Sequence, residues 1–290
     1  MKKIAIVGSN SFLAKNLAFY LKSKANEPCD LLLYDVQPAT ITSPAGYKQL
    51  DFEDPASLDA VDCSVDAVYF FTGLTGTKKS MERYADFVKV NELYLLNFLD
   101  AYKRKGGIAK IIYPSSRLMY ASSDEPLSED AKKSFRSIYA VGKYAAENYL
   151  EVFANLYGIK SCVLRICVPF GSLIPDSPSY GTYEFFTEQA RAGKNITVFG
   201  DGSSTRTFTH MEDICKALHL VAKNDACIGV FNLGGRQKSL GEVAKEIAAQ
   251  YGVGVDFVPF PKEDARFEVP RSVFDSSRLD KLLGLSYRDF

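Results

Sequence analysis

Histidine is scarce in this chain. His210 and His219 are the only two, they come from separate neighbourhoods, and neither forms a ligand constellation with the cysteines, so no metal site is expected. The six cysteines (Cys29, Cys63, Cys162, Cys167, Cys215 and Cys227) lack C-x-x-C spacing. Cys162 and Cys167 lie in an apolar run that reads as a buried strand, so reduced core thiols are the expectation. Net charge is missing too: 35 basic residues cancel 35 acidic ones. No overall field then favours nucleic acid or an anionic membrane, and any phosphate must be held by local groups. There is no apolar stretch of about 18 residues to span a bilayer. Met1-Lys2-Lys3 runs into a short apolar strand rather than a signal h-region, which makes the cytoplasm the expected compartment. Internal repeats and low-complexity tails are absent as well.

What the chain does have is alternation. Lys3 to Val7 is a short apolar run, closed by Gly8-Ser9-Asn10-Ser11, after which Phe12, Leu13, Asn16, Leu17 and Tyr20 recur at helical spacing. Further strands are predicted at Leu31 to Tyr34, Tyr47 to Leu50, Asp66 to Phe71, Lys110 to Tyr113 and Ser161 to Ile166. A long helix is predicted from Met81 to Lys103 and another from Ile138 to Tyr157. Pro114 ends the fifth strand in this reading and delivers Ser115 and Ser116 to a loop. Strands separated by helices need crossover connections, so the fold class is α/β: a doubly wound, mainly parallel, Rossmann-like sheet with helices on both faces. With 290 residues the chain is long enough for a large core and a smaller second lobe. Beyond Val168 prolines and glycines crowd together and the alternation lapses. We therefore expect a dinucleotide-binding domain over 1–167 and a smaller substrate-binding lobe over 168–290, partly interleaved with it. The pieces of that lobe read as helices at Tyr183 to Arg191, Glu212 to Ala222, Leu240 to Tyr251 and Ser277 to Leu283, and as strands at Ile196 to Phe199, Gly229 to Asn232 and Val255 to Val258.

Three features carry chemistry. The first strand of such a sheet feeds a helix whose free N–H groups and dipole attract anions, so the turn at Gly8 and Ser11, with Phe12 and Leu13 opening the helix, is the seat for a pyrophosphate. Aligned on G-x-x-G-x-x-G, the three places hold Gly8, Ser11 and Ala14. Asp35, at the end of the second strand, can accept both ribose hydroxyls of adenosine and would repel a 2′-phosphate, which favours NAD over NADP. Tyr139 and Lys143 stand four apart on a helix and so share a face, an arrangement that lets the ammonium favour the ionised phenol. A phenol titrates near about 10 unaided, so such a charge suits it to act as a general base. A structural reading remains beside each: a capped helix start, a solvated strand end, and an aromatic packed on the core beside a solvated lysine.

Tyr113-Pro114-Ser115-Ser116-Arg117-Leu118-Met119-Tyr120, followed by Tyr139-Ala140-Val141-Gly142-Lys143, resembles the extended short-chain dehydrogenase/reductases that act on nucleotide sugars, with the UDP-glucose 4-epimerases as the nearest comparison. The resemblance covers nearly the whole length. It implies that Ser116 is the third catalytic residue beside Tyr139 and Lys143, steadying the sugar oxygen that becomes a carbonyl. It further implies that Asp51 and Phe52 flank the adenine, that Phe71, Thr72 and Gly73 lie beneath the cofactor ribose and phosphates, and that Asn91 supports the active site. Arg206, in Gly200 to His210, would meet the sugar-nucleotide diphosphate, joined by Arg266 or Arg271. The same family pattern has asparagine where Val168 stands, so one substrate hydrogen bond is lost or supplied from elsewhere. Its dehydratases place an acid pair where this chain has Arg117 and Leu118, so dehydration is not expected. The expected activity is therefore an NAD-dependent 4-epimerase on a nucleotide-diphosphate sugar, with a reductase of 4-keto nucleotide sugars as the alternative and a non-catalytic cofactor-binding relative as the third reading. By the same resemblance the two long helices form a homodimer contact.

Overall fold

In the computed structural model, which describes residues 2–40 and 46–290, the first six strands are β1 (Lys2–Val7), β2 (Cys29–Asp35), β3 (Tyr47–Gln49), β4 (Ala67–Phe70), β5 (Lys110–Ser116) and β6 (Ser161–Ile166). A seventh strand, Gly229–Asn232, lies beside β6. The order across the sheet is Gly229–Asn232, β6, β5, β4, β1, β2, β3, and every neighbouring pair is parallel. Period-two alternation explains the three layers. Ile4 and Ile6 face one way, against Leu17, Leu21, Ile214 and Leu218. Ala5 and Val7 face the other way, against Leu95, Phe98 and Leu99. Helix Met211–Lys223 thus packs on the main sheet although it comes late in the chain.

The strand order reverses between β1 and β4, which opens a crevice at their carboxyl ends, where ligands bind in open α/β sheets. Two departures from the sequence reading shape that crevice. β5 does not stop at Tyr113; it runs on through Pro114, with Pro114, Ser115 and Ser116 paired to Leu164, Arg165 and Ile166. Pairing with β4 has ended at Ile112, so Pro114 stands where β5 has a neighbour on one side only and its missing N–H breaks no ladder. Ser116 is accordingly held by a strand end rather than a loop. The long helix is also interrupted. Thr77–Glu82 breaks at Arg83, and Tyr84–Val88 runs into a π-helical turn, Lys89–Leu93, before Tyr94–Arg104 resumes. Such single wide turns recur at functional sites. Here the turn aims the buried Asn91 inward, where its side chain accepts from the Leu74 amide (2.7 Å) and donates to the Leu74 carbonyl (3.1 Å).

The smaller lobe builds on Thr205–His210. That strand is parallel to Val168–Phe170 and Arg271–Ser272 and antiparallel to Arg236–Ser239. Ile196–Phe199 pairs with Val255–Val258 beside it. Its core gathers Phe170, Phe186, Ile196, Val198, Phe208 and Ile247.

Candidate active site

Gly8 ends β1 with φ +87°, a conformation that side chains avoid, and an added Cβ would lie 2.6 Å from the Phe71 carbonyl carbon. The chain therefore turns tightly enough for Ser11 to cap helix Phe12–Ser23, its hydroxyl accepting from the Ala14 amide at 3.3 Å. Ser11, Phe12 and Leu13 line a cleft of about 480 Å³ whose far wall holds Ser116, Tyr139 and Lys143. Phe71 and Gly73 line it as well, and Thr72 and Asn91 lie directly behind. Thus the structure brings the first turn, the β4 exit and the Ser/Tyr/Lys set to one place.

The residues present fit a dinucleotide. Buried hydroxyls of Ser9 and Thr72 beside the first turn have no hydrogen-bond partner among the described residues, and a buried polar group is costly unless something satisfies it. The Asp35 carboxylate accepts from the Asn10 amide (2.8 Å) and the Gln37 amide (3.0 Å). A carboxylate has about four acceptor positions, so capacity for ribose hydroxyls remains.

Ser137 caps helix Ile138–Tyr157, and Gly158 ends it in the left-handed conformation. Tyr139, Lys143 and Glu147 recur every four residues on its buried face, and each then meets a different environment. Burial pushes the Tyr139 phenol up to about 12, opposed by a hydrogen bond with Ser116 and by the charge of Arg117. Burial pulls Lys143 down to about 7, opposed by Glu147. The Lys143 ammonium lies 2.8 Å from the Pro114 carbonyl and over the Tyr113 ring, 4.4 Å from its centroid. The expected lowering of the Tyr139 pKa by Lys143 is therefore not present in this state: burial dominates, and the charges that favour the phenolate come from elsewhere.

Glu147 anchors a buried network that sequence reasoning missed. It accepts from the Ser115 hydroxyl at 2.5 Å and forms a two-pronged pair with Arg165 at 2.9 and 2.6 Å. Arg165 also donates to the Tyr120 hydroxyl (2.5 Å) and the Glu129 carbonyl (2.7 Å). The signal was present in the sequence: Arg165 is the one charge inside the apolar Ser161 to Ile166 run, and Glu147 lies one turn beyond Lys143. The network clamps Ser115, the strand neighbour of Ser116.

Several of the expected site residues do not line this cleft. Arg206 is 2% exposed, paired with Glu268 and donating to the Thr205 and Pro270 carbonyls, because Thr205–His210 is a central strand of the smaller lobe. Arg266 is exposed and stacked over Phe267, and Arg271 sits at a short strand with a buried Nε that has no hydrogen-bond partner among the described residues. None of the three lines the cleft. Phe52 is packed between Phe70 and Tyr94 in the core, while Asp51 is exposed, its carboxylate accepting from the Glu53 amide. Conversely, Arg117 and Tyr180 line the cleft unforeseen. Tyr180 stacks on Phe12 and shares a 2.7 Å hydrogen bond with Thr75. Among the described residues no group of three metal-ligating side chains occurs, and no helix is long and apolar enough to cross a membrane.

Comparison with known proteins places the chain among relatives. Residues 4–234 match the model of the NAD dependent epimerase/dehydratase family. An uncharacterized protein of Methanocaldococcus jannaschii is 27% identical, over 98% of this chain and 90% of that one. The UDP-glucose 4-epimerase of Mycolicibacterium smegmatis is 27% identical, over 76% of this chain and 70% of its own. Among solved structures, the Thermus thermophilus UDP-glucose 4-epimerase in complex with NAD superposes with a TM-score of 0.81 at 22% identity, covering 96% of this chain and 92% of that one, and so shares the fold.

Proposed function

The chain belongs to the NAD-dependent epimerase/dehydratase family of enzymes, with NAD as cofactor, and from that premise we propose that it is a 4-epimerase of nucleotide-diphosphate sugars. The observation that carries the proposal is the convergence, in one cleft, of Ser116 from β5, Tyr139 and Lys143 from the next helix, and the first helix start. NAD, when bound, supplies a hydride acceptor that can return the hydride. Tyr139 moves the proton: as the phenolate it accepts the proton of the sugar hydroxyl when the carbonyl forms, and as the phenol it returns that proton to the same oxygen when the hydroxyl is restored, so the first half-reaction needs the buried phenol ionised with the help of Ser116 and the Arg117 charge. Ser116 holds that oxygen and, as a hydrogen-bond partner, favours the phenolate. Lys143 offers a donor toward the cofactor ribose from the floor of the cleft. Gly8, Ser11, Phe12 and Leu13 seat the pyrophosphate, and Asp35 selects a free 2′-hydroxyl.

Dehydration fits poorly. Eliminating water needs an acid and a base beside the reacting carbon, and Arg117 and Leu118 occupy the positions next to Ser116. The alternative, reduction of a 4-keto sugar, uses the same three residues and differs in consuming external reduced cofactor. The test is to incubate the purified protein with nucleotide sugars, adding no NADH or NADPH, and follow both epimers by NMR. Interconversion supports the proposal; turnover only of keto-sugars, with stoichiometric loss of NADPH, overturns it.

We extend the proposal to a homodimer. Support comes from Tyr84, Val88 and Leu93 on one segment and Val141, Val152 and Leu156 on helix Ile138–Tyr157, which leave apolar side chains at the surface. Light scattering at micromolar concentration should give twice the chain mass, and Val88→Glu should lower it; a monomeric wild type would refute the assembly.

A further inference from the structure

Arg117 follows Ser116 directly and opens a short 3-10 turn, Arg117–Met119, that carries its side chain into the cleft. Among the described residues its one side-chain hydrogen bond is long, 3.3 Å to the Ser272 hydroxyl. Among the described residues no carboxylate lines this cleft and none lies within ion-pairing distance of Arg117, so the cleft wall presents the cations Arg117 and Lys143 and no acid. The surroundings sharpen the imbalance. Arg206 stands close enough for Arg117 to repel it, and among the described residues Glu268 is the one acidic partner of Arg206. Leaving a guanidinium half-buried and unpaired is unfavourable unless a ligand supplies the anion.

Two anions could serve, the diphosphate of the substrate or a carboxylate on its sugar. Position separates them. Arg117 adjoins the serine that meets the reacting oxygen, and its charge bears on the Tyr139 phenol itself. It therefore sits at the sugar end of the cleft, beside the apolar Leu118 and Val168. Building on the epimerase reading above, we propose that Arg117 binds a carboxylate carried by the sugar, so that the preferred substrate is a nucleotide-linked uronate rather than a neutral hexose. The planar guanidinium matches a carboxylate in a two-point contact, which a lysine at the same place would not reproduce.

The test compares matched pairs, UDP-glucose with UDP-glucuronate and dTDP-glucose with dTDP-glucuronate, by calorimetric binding to the NAD-loaded protein. The wild type should bind the uronate of at least one pair ten-fold or more tightly than its neutral partner, the size expected of one charge-assisted contact. Arg117→Gln should collapse that ratio toward one, and Arg117→Lys should restore part of it. A loss by Arg117→Gln that is equal for both members of a pair would assign the residue to the diphosphate and overturn the proposal. Preference for the neutral sugar, or binding of neither, would overturn it as well. Because binding is read without turnover, a protein that favours uronates yet epimerises none removes the epimerase reading alone, whereas epimerisation of neutral sugars with no preference removes this one alone.

Discussion

The Lys143 ammonium lies 3.1 Å from the Tyr113 hydroxyl, whereas no hydrogen bond among the described residues joins it to Tyr139, one helical turn away on the same face. Spacing along a helix decides which side chains share a face, and the pocket beneath decides which of them touch. Both groups are buried, so water no longer stabilises their charged forms, and their pKa values move apart, the phenol's up to about 12 and the ammonium's down to about 7.

Lys143 should make stability depend on pH. Its folded pKa, about 7, lies below the unfolded value, so below pH 7 the charge is buried at full cost. Between about 7 and 10.4 the unfolded chain binds the extra proton, and stability contributed by this group rises with pH. Lys143→Met removes the penalty. In urea unfolding of the cofactor-free protein it should be stabilising at pH 6, on the order of a few kcal/mol, and progressively less so toward pH 9. A constant difference across that range would show that the lysine is not held in a depressed state.

Tyr139→Phe deletes the proton carrier while keeping the ring against Phe87. Turnover should fall by roughly 10²–10⁴-fold, the span associated with general acid–base groups, with NAD still retained. Rate and cofactor content, the latter from absorbance of the denatured supernatant, check the two halves separately. Full activity would exclude Tyr139 from the chemistry.

The Glu147–Arg165 pair has both side chains 4% exposed, so removing one partner strands the other. Glu147→Gln and Arg165→Met should each destabilise by about 3–5 kcal/mol. The double variant should be less damaged than their sum, because no lone charge is left in the interior. Additive losses in a double-mutant cycle would contradict the coupling.

Gly8→Ala places a methyl against the Phe71–Thr72 backbone at a positive φ. The expected cost is about 2–4 kcal/mol from conformation and overpacking together. Weaker NAD binding should accompany it, because the helix start that seats the pyrophosphate must shift. Thermal unfolding with and without NAD measures both effects; a smaller NAD-induced rise in Tm is the expected result, and an unchanged rise would place the pyrophosphate away from this turn.

Much of the layered architecture could be read from the chain. Apolar runs such as Lys3 to Val7 and Ser161 to Ile166, broken by helical periods, are local patterns, and local patterns are what a sequence displays. The same holds for the Ser137 and Gly158 ends of the central helix. Errors gathered where a distant neighbour decided the outcome. Pro114 reads as a strand end, yet β4 stops short beside it and β5 runs on along β6. Met81 to Lys103 looked like one helix, whereas Asn91 must turn inward to meet Leu74.

The chain by itself therefore determined the repeating strands and helices, the glycine that the first turn requires, and the common face of Tyr139, Lys143 and Glu147, since each depends on residues a few positions apart. Tertiary structure alone decided which charges are spent and which are free. Arg206 and Arg117 look alike as letters. One is consumed by Glu268 inside a central strand, and the other is left facing the cleft, because pairing and burial depend on partners brought from far along the chain.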